Sequence, residues 1–308
     1  MKKKLIILFT LLCTGLIVNA QKEYRLAKAT GHLKLNLNGA IVEGYDGKEI
    51  IFTSANHTDV EVDERAKGLV AIGSSGYSDN TGLGVNVKES GQEIIVNNIF
   101  KSNADVLTIK VPQGIKVSVI NNGNQSYEDI IIRNIKGEIE VSSLYSKIRL
   151  ENNSGPMTIN SINGAVEAIF NADIKGPISI ISIYNYVDIT MPVATKGNVE
   201  LTTKYGKLYA AKEFNIDIDT SKVEKNNNKP ATTSLTGTNA IIINNTDGGQ
   251  INRNAKTTTT TSISSSGEGA ITIGYSYNVG EKIKGKLNGG GSDLIFQSTN
   301  NNVYLRQK

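Results

Sequence analysis

The pentapeptide Gly137-Glu-Ile139-Glu-Val141 returns in outline as Gly155-Pro-Met157-Thr-Ile159, Gly176-Pro-Ile178-Ser-Ile180 and Gly197-Asn-Val199-Glu-Leu201. Each copy is a glycine, one residue, then two apolar positions separated by a polar or small one. The first apolar positions step by 18, 21 and 21 residues. Nine residues beyond each stands a second alternating pair: Ile148/Leu150, Val166/Ala168, Val187/Ile189 and Leu208/Ala210. A period and a constant internal offset together are the signature of a repeat architecture. Successive side chains of a strand point to opposite faces, so each copy supplies two short strands with one apolar row apiece. One copy cannot bury its rows alone; stacked copies join the rows into a core and pair each backbone with its neighbours. The glycine before the first strand fits a corner that needs positive φ or a close backbone approach. Pro156 and Pro177 stand at strand starts, where a missing N–H is tolerated.

Working outward, the pattern echoes at Gly114 to Val119 with Ile130/Ile132, and at Gly269-Ala-Ile271-Thr-Ile273. It returns at Leu294/Phe296 and Val303/Leu305, nine residues apart, after Gly289, Gly290 and Gly291. The reading is all-β: a single-stranded β-helix, or β-solenoid, with rungs of about 21 residues over residues 105–308. A polar, low-complexity excursion interrupts it at about 221–266, with Ile241, Ile242 and Ile243 as its apolar centre. Residues 21–104 are strand-rich but lack the period, with alternation at His32 to Leu37 and at Val60/Val62. They read as an N-terminal β cap, because the end of a stacked sheet must be covered.

The first twenty residues follow another logic. Lys2, Lys3 and Lys4 precede an apolar run from Leu5 to Val18, and Ala20 closes it. That order describes a secretory signal peptide over 1–20, too short and wrongly flanked for a membrane span. Cys13 is the chain's one cysteine, so disulfides, thiolate ligands and a cysteine nucleophile are excluded once the leader is removed. Cleavage also takes three lysines, leaving 30 basic against 29 acidic residues, a balance of +1. That gives no electrostatic footprint for nucleic acid and no polybasic patch for lipid. No second stretch is long and apolar enough to span a bilayer. The expected location is the periplasm, the outer-membrane surface or the extracellular space.

Val111-Pro112-Gln-Gly114, the Gly-x-Ile-x-Val steps of 137–201 and the closing Lys286-Leu-Asn-Gly-Gly-Gly291 to Asn302-Val-Tyr-Leu-Arg306 resemble a family of bacterial secreted proteins called "putative adhesins", or auto-transporter-adhesin-like proteins. The resemblance covers residues 105–308. It implies a single-stranded β-helix and surface or periplasmic placement, and it carries no catalytic residues.

His32 and His57 are the two histidines, and no local motif brings metal ligands or a Ser/His/acid relay to either. No metal and no cofactor are expected. Glu138 and Glu140 share the outward face of one strand, with Asp188 and Glu200 on later ones. A glycosidase needs two carboxyls some 5–9 Å apart across a cleft, so a polysaccharide-cleaving β-helix enzyme is the alternative; solubilising charge on a sheet face is the simpler account. Tyr145, Tyr184 and Tyr205 are the candidate binding residues. Each stands six beyond the first apolar position of its copy, so they are expected to stack in a column along one edge. An exposed aromatic edge binds sugar rings or proteins, while stacking within the molecule explains it structurally. The expectation is a non-enzymatic, exported interaction protein whose partners are glycans or envelope and surface proteins; an accessory role in an envelope complex reads the same way.

Overall fold

The computed structural model describes residues 22–54, 64–99, 106–123, 128–171, 174–219 and 280–308. The leader 1–20, His57, Val60, Val62, the excursion 221–266 and the echo at 269–273 lie outside them. The chain is all-β: among the described residues there is no α-helix, only a single 3₁₀ turn at Glu64–Ala66.

In chain order the strands are β1 (Glu23–Leu26), β2 (Thr30–Asn36), β3 (Ala40–Tyr45), β4 (Ile50–Ser54), β5 (Val85–Ser90), β6 (Glu93–Asn98) and β7 (Leu107–Pro112). Next come β8 (Gly114–Asn121), β9 (Ile130–Arg133), β10 (Ile139–Ser143), β11 (Ile148–Glu151), β12 (Met157–Ser161), β13 (Val166–Ile169) and β14 (Ile178–Ser182). The remainder are β15 (Val187–Met191), β16 (Gly197–Thr203), β17 (Leu208–Ala210), β18 (Ile216–Ile218), β19 (Glu281–Leu287), β20 (Asp293–Ser298) and β21 (Val303–Gln307).

They form two mixed sheets. The eleven-stranded sheet runs β18-β19-β16-β20-β14-β12-β10-β8-β2-β6-β5, and the ten-stranded sheet runs β1-β4-β7-β3-β9-β11-β13-β15-β21-β17. A strand of the first and the next strand in sequence from the second make one tier. Both sheets stack the tiers in the same order: β6/β7, β2/β3, β8/β9, β10/β11, β12/β13, β14/β15, β20/β21 and β16/β17. Neighbours within this block are parallel. Antiparallel strands flank it: β5 on β6, β4 on β7 with β1 beyond, and β19 on β16 with β18 beyond.

The apolar pairs read from sequence are the in-register partners. Ile139 pairs with Met157, Met157 with Ile178, Ile148 with Val166 and Val166 with Val187. Across the eleven-stranded sheet the row Ile94, Leu33, Val117, Ile139, Met157, Ile178, Leu294, Val199 is buried throughout. The matching row Leu107, Ala40, Ile130, Ile148, Val166, Val187 and Val303 of the ten-stranded sheet joins the same core. Each fully buried aliphatic side chain contributes roughly 1.5–3 kcal/mol. Burial fades at β17, where Leu208 is only partly covered and Ala210 is exposed.

Two tiers depart from sequence order. Strands β2/β3 lie between β6/β7 and β8/β9, and β20/β21 lie between β14/β15 and β16/β17. Leu294 therefore pairs with Ile178 on one side and Val199 on the other. Residues 22–54 thus supply strands to both sheets, and residues 64–99 to the eleven-stranded one.

Two corners hold the tiers together. A buried column of Ser143, Ser161, Ser182, Ser298 and Thr203 is in register at the ends of the first strands. Ser182 Oγ donates to Gly164 O (3.0 Å) and accepts from Asn185 N (3.2 Å). Ser298 Oγ donates to Asn185 O (2.8 Å), and Thr203 Oγ1 donates to Asn301 O (2.8 Å). These three hydroxyls bind one turn to the next, while Ser143 and Ser161 bond within their own turns, to Ser146 and to Gly164, so each buried hydroxyl is satisfied. At the other corner Asn134 and Asn152 adopt φ of 59° and 56°, a conformation asparagine tolerates, and Asn152 Nδ2 reaches Asn134 Oδ1 at 3.4 Å. Gly155 answers to close approach, not to positive φ: a Cβ there would stand 2.0 Å from Gly137 O.

Candidate aromatic binding edge

Beyond the buried hydroxyls each chain turns outward, and the sixth residue after the first apolar position heads the turn. In tier order those residues are Tyr145, Asn163, Tyr184, Asn300 and Tyr205. Backbone bonds fix four of them: Asn163 N donates to Leu144 O (2.8 Å), Tyr184 N to Ile162 O (2.8 Å), Asn300 N to Ile183 O (2.8 Å) and Tyr205 N to Thr299 O (3.0 Å); beside Tyr145, Leu144 N donates to Asn121 O (3.1 Å). The asparagine side chains add a second tie, Asn163 Nδ2 to Leu144 O and Asn300 Nδ2 to Ile183 O, each 3.1 Å.

The three candidate tyrosines therefore share one edge but are not neighbours. An asparagine stands between each pair, so consecutive rings sit two tiers apart, or about 9.6 Å at the usual strand spacing. They are 41 %, 57 % and 67 % exposed for Tyr145, Tyr184 and Tyr205. Among the described residues no ring–ring contact joins them; Lys204 Nζ lies 5.0 Å from the Tyr205 ring centre. Stacking against one another is thus not what holds them in place.

A second aromatic group lies on the outer face of the ten-stranded sheet. Tyr209 stacks on Tyr304 (5.2 Å, 8° between planes), and Tyr186 meets Tyr304 edge-on at 6.4 Å. Arg306 lies over the Tyr304 ring and binds Asp188 through Nε at 2.8 Å. Tyr186 Oη donates to Glu167 (2.7 Å), which Lys147 also holds (2.6 Å). This group does show the intramolecular stacking expected of cross-strand aromatic pairs.

The outward acids are all engaged. Lys116 bridges Glu138 (3.0 Å) and Glu140 (2.9 Å), while Lys282 and Lys284 hold Glu200 at 2.6 and 2.9 Å. A shallow groove beside Glu200 is lined by Asn198, Asp217, Lys284, Lys286 and Asp293. Burial pushes the Glu140, Glu167 and Glu200 carboxyls up, but their lysine partners, with Ser118 at Glu140 and Tyr186 at Glu167, outweigh it and leave all three below the usual glutamate range.

One convergence had no local sequence signal. Parallel pairing of β2 with β8 brings His32 Nε2 within 2.6 Å of Ser118 Oγ, which in turn donates to Glu140 (2.9 Å). Burial, then Lys116 and Lys34, lowers the His32 pKa. In a nucleophilic relay histidine stands between serine and acid; here serine stands in the middle, and Ser118 is 1 % exposed. The trio is a buried-edge hydrogen-bond chain. Among the described residues no group of three His, Cys, Asp or Glu could hold a metal ion, and no helix is long and apolar enough to cross a membrane.

No family model matches the chain. No curated protein matches it either. A crystal structure of "a putative cell adhesion protein" from Clostridium sporogenes is similar at 10 % identity, with a TM-score of 0.38, over 94 % of this chain and 100 % of that one.

The hydroxyl column was the feature most readily missed. Its signal is in the sequence, four residues beyond the first apolar position at Ser143, Ser161, Ser182, Thr203 and Ser298.

Proposed function

We propose that this chain is an exported, non-enzymatic β-solenoid that serves as an adhesin-like interaction protein, presenting the Tyr145–Tyr184–Tyr205 edge to a surface partner. The observation that carries the reading is the edge itself: three exposed rings, each on a backbone-bonded turn, none in contact with another. Rigid aromatic area with a polar tip binds at low entropic cost. The common tier order of the two sheets and their in-register parallel pairing support the solenoid, with β1, β4 and β5 flanking one end and β18 and β19 the other. The basic-then-apolar leader supports export.

The enzyme alternative draws less support. A general acid at neutral pH needs a carboxyl raised toward the working pH, and Glu140, Glu167 and Glu200 are shifted the other way. Glu138 and Asp188 are tied to cations.

The test compares the wild-type chain with a Tyr145→Ala/Tyr184→Ala/Tyr205→Ala variant on a panel of immobilised polysaccharides and purified surface proteins. Wild type should be retained on at least one surface and the variant lost from it. Equal retention of the two, or no retention of either, overturns the reading.

A further inference from the structure

Resting on that reading of the edge, we infer that its ligand is an extended, equatorially linked polysaccharide of β-1,4 type, lying along the stacking direction with every second sugar ring on a tyrosine. The alternation Tyr145, Asn163, Tyr184, Asn300, Tyr205 is the basis. It places flat apolar surfaces two tiers apart, about 9.6 Å at the usual strand spacing, with an amide between each pair. In a β-1,4-linked chain adjacent rings are turned over by about half a turn, so every second ring shows the same C–H face to one side. The two-ring repeat of such a chain is close in length to two tiers. A ring on each tyrosine thus leaves the intervening ring above an asparagine.

The asparagines suit that place. Each donates its side-chain N–H to a backbone carbonyl, Leu144 O or Ile183 O, which fixes the amide and leaves the Oδ1 atom as an acceptor for a sugar hydroxyl. Charge supports a sugar over an acidic or basic protein face. In the turn segments 144–146, 162–164, 183–185, 299–301 and 204–206, Lys204 is the one charged residue. A polysaccharide that coils, such as an α-1,4-linked glucan, does not keep successive rings on a straight line and fits the edge poorly.

The geometry also sets a length rule. Two tyrosines need a trisaccharide and three need a pentasaccharide. Calorimetric titration of the full chain with cello- and chito-oligosaccharides of one to six rings, and with maltohexaose, reads it out. Affinity should rise by roughly five- to tenfold from one ring to three and again from three to five, the worth of one aromatic contact, then level off at six. Maltohexaose should bind no better than a single ring. Tyr184→Ala, whose ring is exposed, should keep the wild-type melting profile yet abolish the separate steps at three and five rings, leaving a single rise at five, because the remaining tyrosines are then four tiers apart. Tyr184→Phe should restore them.

A smooth rise without steps, equal binding of maltohexaose, or Tyr184→Ala behaving as wild type sinks the inference. If no oligosaccharide binds while a surface protein is still captured in a tyrosine-dependent way, the ligand class is wrong and the interaction edge stands. If neither binds, both fall.

Discussion

From β8/β9 to β14/β15 each tier rests on the one made just before it, and paired residues are 18 to 22 positions apart. At the ends the neighbour comes from far along the chain: Leu33 pairs with Val117 on one side and Ile94 on the other, and Leu294 pairs with Ile178 and Val199. Both regions use the same apolar rows and the same parallel register. Order along the chain is therefore not what selects a partner; the match of inward apolar rows is. Longer connections raise the closure cost only slowly, by about 0.6 kcal/mol per doubling of length, so a well-matched row offsets it.

The comparison breaks most severely at Ile180, fully buried in the sequential middle. Ile180→Asp leaves an unpaired charge in a dry core at a cost of several kcal/mol, and the cooperative β-sheet melt should vanish from circular dichroism. A near-native melt would mean the inward rows are not one core. Next is the intercalated tier. Phe296→Ala should cost about 3–5 kcal/mol, measured by denaturant unfolding, whereas Leu208→Ala in the outermost tier should cost under about 1 kcal/mol because that side chain is only partly covered. Equal losses would erase the distinction between an inserted tier and a terminal one.

Smaller effects sharpen it. Ser182→Ala removes a buried donor to Gly164 O and an acceptor for Asn185 N, and should cost about 1–3 kcal/mol; an unchanged unfolding midpoint would deny the corner column its role. Acid should act in one direction. Glu140, Glu167 and Glu200 have lowered folded pKa values, so their stabilisation is present above the unfolded value near 4.3 and is lost as pH falls through the folded values. His32, lowered as well, adds a loss of the same sign that begins near 6.5. Melting midpoints should decline from about pH 6 to about pH 3, and a flat profile would show these pairs to be idle. Smallest is Arg306→Gln: its pair with Asp188 is surface-exposed, worth under about 1 kcal/mol.

The apolar pairs were legible because alternation has period two and the nine-residue offset recurs. The edge was legible in part. Tyr145, Tyr184 and Tyr205 share an offset, and Asn163 at the same offset in the second copy already showed that the tyrosines are not continuous. The second interruption, Asn300, was hidden because nothing local in Leu294-Ile-Phe296 says that this strand enters between Ile178 and Val199. The meeting of His32 with Ser118 and Glu140 was hidden for the same reason: it depends on β2 pairing with β8, 86 residues from His32 to Ser118. Period and offset report what each strand is for, while partner choice across long separations depends on shapes that a single sequence does not display.

The insertion of β20/β21 has a consequence for biosynthesis. Strands β16 and β17 leave the ribosome well before the segment that must slot in beneath them, so they cannot take their final places as they emerge. A chain emerging from its N-terminus outward can build β8/β9 through β14/β15 in turn, then has to hold a gap open until Asp293 onward arrives. Strands β20 and β21 are a keystone, and β16/β17 set only when they drop in.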